Sequence, residues 1–270
     1  FAALGRIVNH VIEGGVNYIV VMGTTGEAPT LRKDEKQAIL SYVTEAVNNR
    51  VPIVAGIGGN NTQEIINCIR ELDLTGVDGI LSVAPYYNKP GQRGLIQHFK
   101  AIATCSPLPV IIYNVPGRTG INISSETTLQ LAHECENIVG TKEASGDIAQ
   151  IMRIIKGKPE NFLVISGDDM LTIPVIASGG SGVISVLANA WPAEWSEMVN
   201  HALKNNLKLA REIHFRFLEV IELLFADGNP SGIKAFMSLR NLCKNNLRLP
   251  LVPVSKNIMA RIQKAADDLN

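Results

Sequence analysis

The chain has 270 residues, 46% of them hydrophobic, and its 25 basic and 25 acidic side chains give a formal net charge of zero. This length is enough for a sizeable core, in one large domain or two ordinary ones. Without net charge the chain has no overall field to attract nucleic acid or an anionic membrane, so neither partner is expected. No apolar run reaches the roughly 18–20 residues that span a bilayer, and no signal peptide opens the chain, which favours a cytoplasmic location.

The cysteines and histidines give no sign of a disulfide or a metal site. The four cysteines are scattered without a C-x-x-C pair, as expected for free thiols in a reducing cytoplasm. The five histidines form no H-E-x-x-H motif and no cluster with cysteine at ligand spacing. We therefore expect no bound metal.

The first predicted element is a helix, followed by seven strands. The helix is indicated by apolar residues spaced i, i+3, i+4, i+7 and i+8, namely Leu4, Ile7, Val8, Val11 and Ile12. Runs rich in Val and Ile predict strands at 18–22, 51–57, 79–84, 108–113, 138–142, 162–166 and 182–187. Their apolar residues are continuous rather than alternating, which is typical of strands covered on both faces.

Signals for helix starts lie between these strands. Asn61 with Glu64 resembles a capping box, and Asp147 precedes an isoleucine-rich pattern of helical period. Pro192 stands where a first helical residue is expected. After about residue 205 the strands stop, and the pattern predicts helices at 207–226, 230–246 and 255–268.

Strands and helices that alternate in this way predict an α/β fold with a parallel sheet, either open and doubly wound or closed as a barrel. A (β/α)8 TIM barrel begins with a strand, whereas this chain begins with a helix, so the barrel interpretation implies that the first strand is missing from this chain. An open seven-stranded sheet is the simpler alternative. In the barrel interpretation residues 1–205 form the barrel, and residues 206–270 form a C-terminal helical extension packed on it.

Chemically versatile side chains follow five of the predicted strands, at the carboxyl ends where parallel α/β folds bind their ligands. The motifs are GTTGE at 23–27, APYYNKP at 84–90, IYNVPGRTG at 112–120, GTKEASG at 140–146 and SGDD at 166–169. Each alone also has a structural explanation. GTTG is compatible with a simple turn, Arg118 with a surface ion pair, and SGDD with the N-cap of a helix beginning near Met170.

Lys142 needs an explanation, because lysine is almost never buried unless something pairs with it or uses it. Adjacent strand residues point to opposite faces, so Lys142 and Glu143 do not share one cavity. Lys142 lies two and four residues from Gly140 and Ile138, so the three residues share one face of the strand. If that face lines the interior, the ammonium points inward. Gly140 would then leave space near it. A desolvated lysine has a lowered pKa, and a neutral amine forms a Schiff base with carbonyls. The residues alone leave this interpretation and a buried salt bridge equally open.

Four other side chains at strand ends suit a Schiff-base site. Tyr113, on the neighbouring strand, is suited to pass protons while a carbinolamine forms and collapses, and Thr24 is suited to hold that phenol. Thr25 and nearby backbone amides suit a substrate carboxylate. Arg118 suits a second carboxylate, held by two parallel hydrogen bonds.

Six blocks of this sequence resemble the signature blocks of the dihydrodipicolinate synthases, also called 4-hydroxy-tetrahydrodipicolinate synthases, in the class I pyruvate-dependent aldolase superfamily. The blocks are GTTGEAPTL, APYYNKPGQRGLIQHF, YNVPGRTG, GTKEASGD, SGDD and GGSGVISVLAN. The likeness runs from about residue 3 to the end of the chain, in the family's order. The conjunction of GTTGE, YNVPGRTG and TKEASGD is highly specific, whereas no single block is.

The resemblance implies a (β/α)8 barrel with a helical C-terminal region, usually assembled as a homotetramer built of dimers. It implies condensation of pyruvate with L-aspartate 4-semialdehyde to 4-hydroxy-tetrahydrodipicolinate, a carbon–oxygen lyase reaction that opens the diaminopimelate route to lysine. It also implies a covalent Schiff base on Lys142 and no metal or organic cofactor.

The family's site residues carry over to matching positions of this chain. Lys142 matches the Schiff-base lysine, Tyr113 the proton-relay tyrosine and Thr24 the threonine beside it. Tyr87 matches a tyrosine that completes the relay across the dimer interface. The matching substrate-binding positions are Thr25 for the pyruvate carboxylate, Arg118 for the semialdehyde carboxylate, and Gly167 and Ile184 for the pyruvate pocket.

The resemblance also points to a possible effector site. Asn60, Glu64 and Tyr86 match positions where lysine inhibits some relatives, but Lys33 and Lys36 stand where those relatives often carry histidines. Two added cations repel a cationic effector, so we expect weak or absent inhibition by lysine.

Two alternatives stay open. N-acetylneuraminate lyase and the keto-sugar-acid aldolases share the lysine and the tyrosine but typically differ after YN-P, where this chain has GRTG. Arg118 suits a short amino-acid aldehyde better than a polyhydroxylated sugar. A non-catalytic metabolite-binding barrel is the other alternative, although a binding protein has no need of a proton relay. A phosphate-binding isomerase is disfavoured by the two acids of SGDD.

Overall fold

The computed structural model describes residues 1–269, and within them seven strands and thirteen helices alternate along most of the chain. The strands are β1 Ile19–Val21, β2 Ile53–Gly56, β3 Gly79–Val83, β4 Val110–Asn114, β5 Ile138–Glu143, β6 Leu163–Ser166 and β7 Gly182–Val183. All seven lie inside the runs predicted from sequence or within one residue of them. The described residues contain no helix with both the length and the apolar character needed to cross a membrane.

The helices occupy the segments between and after these strands. They are α1 Ala2–Glu13, α2 Lys33–Val47, α3 Thr62–Glu71, α4 Gln92–Cys105, α5 Pro116–Thr119, α6 Ser125–Glu134, α7 Ile148–Gly157, α8 Thr172–Ala177, α9 Pro192–Leu203, α10 Leu207–Arg216, α11 Leu218–Phe225, α12 Ser231–Leu239 and α13 Lys256–Asp267. Single turns of 3-10 helix lie at Thr24–Gly26, Ala28–Thr30 and Leu187–Asn189.

One of two compact units runs from Ile53 to Ile184 and is built on a parallel sheet. Its strands β2 to β7 pair in sequence order, each with the next. Parallel neighbours need a crossover connection, and α3 to α8 provide the crossovers. The strands are buried almost throughout, which confirms that the continuous apolar runs are covered on both faces.

The other unit contains residues 1–52 and the chain from residue 185 onward, with β1, α1, α2 and α9 to α13. An aromatic cluster forms part of its core. Trp191 contacts Phe217 and Phe236 edge to face, and Trp195 contacts Phe217 in the same way. Buried aromatic side chains contribute both a large apolar area and a preferred edge-to-face geometry, so this cluster contributes to the stability of the unit.

Two of the predicted C-terminal helices are wrong in extent. The predicted helix 207–226 is interrupted at Phe217, which is 1% exposed and whose amide donates to the His214 carbonyl three residues back. Burial of that ring in the aromatic cluster overrides the helical period. The predicted helix 230–246 ends at Leu239, because Asn241 adopts a left-handed backbone (φ +58°) that stops a helix.

Three predicted helix starts are confirmed. Asn61 accepts hydrogen bonds from the amides of Gln63 and Glu64 at the start of α3. Asp147 accepts from the Gln150 amide at the start of α7, and Pro192 is the first residue of α9. These are the short-range signals that sequence specifies directly.

Candidate active site

Lys142 lies near the carboxyl end of β5, directly opposite Tyr113 of β4 in the parallel register. Its side chain is buried, with 9% exposed, and its Nζ lies 4.3 Å from the centroid of the Tyr113 ring. Glu143, the next residue, makes its contacts with Asn114, Ser145 and Gln150 instead. The prediction that Lys142 and Glu143 occupy different surroundings is therefore confirmed.

Burial dominates the protonation of Lys142. Desolvation lowers the pKa of the Lys142 amine to about 8, because a charged ammonium loses its hydration there. Asp169 opposes this effect by raising the pKa, and Arg118 lowers it further. At neutral pH roughly a tenth of the amine is therefore neutral, compared with well under a thousandth of an ordinary lysine.

Two glycines shape the space around the Lys142 chain. A Cβ atom on Gly167 would lie 2.9 Å from Cε of Lys142 and 2.8 Å from Cβ of Ala144, so only glycine leaves the lysine where it is. Gly140 does something different from what we expected. A Cβ atom on Gly140 would lie 2.9 Å from Cβ and from the carbonyl oxygen of Leu163 in β6, so this glycine allows β5 and β6 to pack closely and does not serve to leave space beside Lys142.

The SGDD segment follows β6 but does not cap a helix as predicted. Helix α8 begins at Thr172, after Leu171, with no side-chain cap. Asp168 instead accepts from the Met170 amide in a tight turn, and Asp169 is buried at 2% exposure. Sequence reasoning treated the two acids as a cap and missed that Asp169 acts on the charge of Lys142. The sequence does contain a signal for this role. Asp169 lies three residues past the buried strand β6, and the neighbouring strand β5 carries Lys142.

Arg118 lies on the single-turn helix α5, which begins at Pro116 three residues after Tyr113. Its side chain is exposed, and its charge acts on Lys142. Ile184 follows β7 and continues the sheet by donating its amide to the Ser166 carbonyl at 2.9 Å. The unit from Ile53 to Ile184 thus brings Lys142, Tyr113, Gly167, Asp169 and Arg118 to one end of its strands.

Thr24 and Thr25 belong to the other unit, on a 3-10 turn directly after β1. Thr25 Oγ1 accepts a hydrogen bond from Nδ2 of Asn229 at 3.0 Å. Glu27, which closes the turn, has a left-handed backbone (φ +53°) and a buried side chain. Its carboxylate accepts from Nζ of Lys234 and from the Arg248 amide. The GTTGE motif is therefore a rigid turn held by the C-terminal part of the chain.

Tyr87 is strongly exposed, with 88% of its surface accessible, and it has a left-handed backbone (φ +71°). The loop that carries it also brings predicted effector residues together. Asn60 donates to the Tyr86 carbonyl at 3.2 Å, and Asn88 donates to the Asn60 carbonyl at 2.9 Å. Glu64 lies in the first turn of α3 nearby in sequence. Lys33 and Lys36 lie in the first turn of α2, in the other unit.

Comparison with known proteins gives one consistent result. The chain matches the model of the dihydrodipicolinate synthetase family over residues 1–269. The 4-hydroxy-tetrahydrodipicolinate synthase of Flavobacterium psychrophilum is 50% identical over 260 residues, which cover 96% of this chain and 89% of the relative. The crystal structure of dihydrodipicolinate synthase from Aquifex aeolicus is 39% identical, with a TM-score of 0.97, over 100% of this chain and 92% of that one. A monomeric dihydrodipicolinate synthase variant matches with a TM-score of 0.97 and 37% identity, over 99% of this chain and 90% of that one.

Proposed function

The chain belongs to the dihydrodipicolinate synthetase family, and we propose that it carries out the 4-hydroxy-tetrahydrodipicolinate synthase reaction through an imine between pyruvate and Lys142. The substrates are then pyruvate and L-aspartate 4-semialdehyde, and the product feeds the synthesis of lysine. The single observation that carries the mechanism is the Lys142 amine, buried against the Tyr113 ring at 4.3 Å with its pKa lowered to about 8.

The chemistry follows from the state of that amine. The neutral nitrogen attacks the ketone carbon of pyruvate, a C–N bond forms, and the oxygen takes up a proton to give a carbinolamine. Loss of water gives the imine, whose positive nitrogen makes the neighbouring methyl group acidic. Removal of a methyl proton gives an enamine, whose carbon attacks the aldehyde of the second substrate while the aldehyde oxygen takes up a proton. The amino group of that substrate then displaces the Lys142 nitrogen from the former ketone carbon, which closes the ring of the product and frees the lysine. These steps move protons at the lysine nitrogen, at substrate oxygens and at the methyl carbon of pyruvate.

Tyr113 is the group we assign to those proton transfers. Its ring lies against the Lys142 amine, and its position in register with Lys142 fixes that approach. A positioned acid–base group of this kind contributes roughly 10²–10⁴-fold to rate. On the family resemblance we assign Thr24 and Tyr87 to the same relay. The outward presentation of Tyr87 suits a tyrosine that reaches into the site of a second copy of the chain.

The substrate carboxylates need separate partners. We assign Thr25 and the amides of its turn to the pyruvate carboxylate, since the turn is held rigidly by Asn229 and Glu27. Arg118, whose guanidinium is exposed beside the lysine, is assigned to the carboxylate of the semialdehyde. Gly167 and Ile184 line the pyruvate pocket in this assignment, and no metal or organic cofactor takes part.

For the fold and assembly we propose the family's arrangement. High TM-scores over nearly the whole chain support a (β/α)8 TIM barrel with a C-terminal helical region. A homotetramer built of dimers would give Tyr87 a partner site, although one relative is described as a monomeric variant. A biosynthetic reaction between small metabolites also suits the cytoplasmic location expected from composition.

Borohydride reduction in the presence of pyruvate tests the proposal. The reagent converts the imine to a stable secondary amine, so the wild-type chain should gain a 1-carboxyethyl group on the peptide that contains Lys142. Lys142→Ala should gain none. Lys156→Ala, which removes an exposed lysine of α7, should label as the wild type does. An adduct that persists in Lys142→Ala would overturn the mechanism.

Aldehyde preference separates the nearest alternative activities. With pyruvate held constant, L-aspartate 4-semialdehyde should be consumed, whereas N-acetylmannosamine and short keto-sugar-acid precursors should not. Turnover of the sugar substrates alone would assign the chain to the sugar-acid aldolases. Absence of turnover and of labelling with every partner would instead favour a metabolite-binding barrel.

We also propose that lysine inhibits this enzyme weakly or not at all. Lys33 and Lys36 add two cations at the start of α2, and like charges disfavour a cationic effector. In a steady-state assay, millimolar lysine should leave the initial rate nearly unchanged. Strong inhibition at sub-millimolar lysine would contradict this expectation.

A further inference from the structure

A buried polar cluster lies immediately behind the strand positions that carry Lys142 and Tyr113. Asn114 and Glu143 are the next residues along β4 and β5, and they are directly opposite each other in register. Nδ2 of Asn114 donates to Oε1 of Glu143 at 2.9 Å, so the two strands are joined by a side-chain bridge one residue past the reactive pair. Asn114 is fully buried, and Glu143 is 1% exposed.

The rest of the cluster converges on the same carboxylate. Gln150, from the first turn of α7, donates Nε2 to Oε2 of Glu143 at 3.1 Å, and the Ser145 amide donates to Oε1 at 3.0 Å. Asn114 also accepts from the Ile123 amide at 2.9 Å, which ties in the loop after α5. The carboxylate therefore holds a strand, a helix and the chain segment that leaves β5.

Burying a polar cluster of this kind costs more stability than filling the same space with apolar side chains. Among its contacts in the described residues Glu143 receives hydrogen bonds only from neutral donors, and burial raises the pKa of its carboxyl group. A buried carboxylate without a cation costs stability, and apolar side chains of similar volume are often more stable at such positions. What the cluster provides instead is fixed geometry, because each donor has one acceptor position to reach.

We propose that Glu143 is a positioning residue for the reaction: with Asn114 and Gln150 it locks the carboxyl ends of β4 and β5 so that the Lys142 amine and the Tyr113 phenol keep their working separation. The inference rests on the proposed imine mechanism and extends it to residues that never touch substrate. Glu143 acts through the backbone. The charges that act on the Lys142 pKa come from Asp169 and Arg118.

Glu143→Gln is the sharpest test, since it keeps the size of the side chain but turns an acceptor into a donor. Because Asn114, Ser145 and Gln150 all donate toward Glu143, the new amide group must face a donor and the bridge must shift. A displacement of about 1 Å costs on the order of a hundredfold in rate. We expect kcat to fall about tenfold to a hundredfold. KM for pyruvate should stay within about twofold, since the carboxylate-binding groups are untouched.

A matched control separates positioning from general loss of stability. Asn137 precedes the opposite end of β5, where its Nδ2 donates to the carbonyls of Ala103, Ser106 and Leu108. Asn137→Ala should lower the unfolding midpoint and leave kcat close to that of the wild type. Asn114→Asp combined with Glu143→Gln moves the carboxylate to the other strand and should recover part of the lost kcat.

Three results would decide the matter. If Glu143→Gln is folded and its kcat equals that of the wild type, the inference is wrong. If Glu143→Gln does not fold, Gln150→Met removes the third donor to Glu143 together with the bonds of Gln150 to Asn122 and Ile123. An unchanged kcat in that variant also overturns the inference. Wild-type chain that forms no borohydride-trapped adduct on Lys142 would instead remove the proposed mechanism itself, so the two failures can be told apart.

Discussion

Burial of the Lys142 amine favours the proposed chemistry but lowers the stability of the fold. The pKa of Lys142 is lowered from 10.5 to about 8, so the unfolded chain binds more protons than the folded chain between those two values. Stability therefore rises with pH across that window, and below about pH 8 the full penalty is present. Two and a half pKa units correspond to about 3 kcal/mol.

Lys142→Met should therefore abolish activity and stabilise the fold. At pH 7 we expect the free energy of unfolding in urea to rise by about 3 kcal/mol, because a flexible apolar chain of similar length replaces a desolvated amine. The gain should shrink as pH rises toward 10. Lys156→Met, at an exposed position of α7, should change neither quantity. A loss of stability in Lys142→Met at pH 7 would show that the amine is stabilised by its surroundings.

At the level of elements, the turn after β1 depends on a buried ion pair. The Glu27 carboxylate is 9% exposed, and its partner Lys234 of α12 is 25% exposed. Breaking such a pair by removing one partner leaves an uncompensated charge and costs about 3 kcal/mol. Glu27→Gln should lower the free energy of unfolding by about that amount, and Glu27→Gln with Lys234→Met should recover part of the loss.

Chemical denaturation of the two variants measures this coupling, and an exposed pair serves as the control. Arg32 and Asp34 bond to each other with both side chains more than two thirds exposed, so Asp34→Asn should have no measurable effect. Equal effects of Glu27→Gln and Asp34→Asn would mean that solvent screens the Glu27 pair as well. Because Glu27 closes the turn that carries Thr25, Glu27→Gln should also raise KM for pyruvate.

Elements whose signals are local were predicted well, and those set by distant packing were not. The strands followed from continuous apolar runs, and Asn61 and Asp147 marked helix starts through their own side-chain bonds. The break at Phe217 had no local signal, since it depends on tryptophans more than twenty residues earlier in the chain. The β4–β5 bridge was missed for the same reason. Its register contains an irregularity after Val110, which no single-strand pattern indicates.

Site residues divide along the same line. Lys142 was predicted from strand alternation and from a sequence resemblance, both of which are readable along one segment. Asp169 and Glu143 acquire their surroundings only when segments separated by tens of residues meet, so their roles needed the structure. The assignment of Tyr87 to the proton relay depends on contacts with a second copy of the chain, and it stays a prediction.

For the molecule as a whole, buried titratable groups set how stability responds to acid. Burial lowers the pKa of His98 from 6.5 to about 4, and its Nδ1 lies 2.8 Å from Oγ1 of Thr62. The unfolded chain then binds more protons than the folded chain between about pH 6.5 and 4, so acidification removes stability in that window. Glu143 changes stability with pH in the opposite direction. Its raised pKa means that the folded chain takes up a proton more readily, which favours folding as pH falls.

His98→Phe should therefore flatten the acid side of the stability profile. We expect the free energy of unfolding of the wild type to fall by about 2–3 kcal/mol between pH 6.5 and 4 through His98 alone. The variant lacks this group, so its total loss over the same pH range should be smaller by about 2–3 kcal/mol. Phenylalanine retains the edge-to-face packing on Phe99 and cannot take up a proton. Urea unfolding at several pH values gives the slope, and His133→Gln, at an exposed histidine of α6, should leave it unchanged. If His98→Phe keeps the wild-type slope between pH 6.5 and 4, His98 is not the source of that slope. Glu35, bonded to Arg248, has a pKa lowered to about 2, so it removes stability in the same direction but only below about pH 4.5.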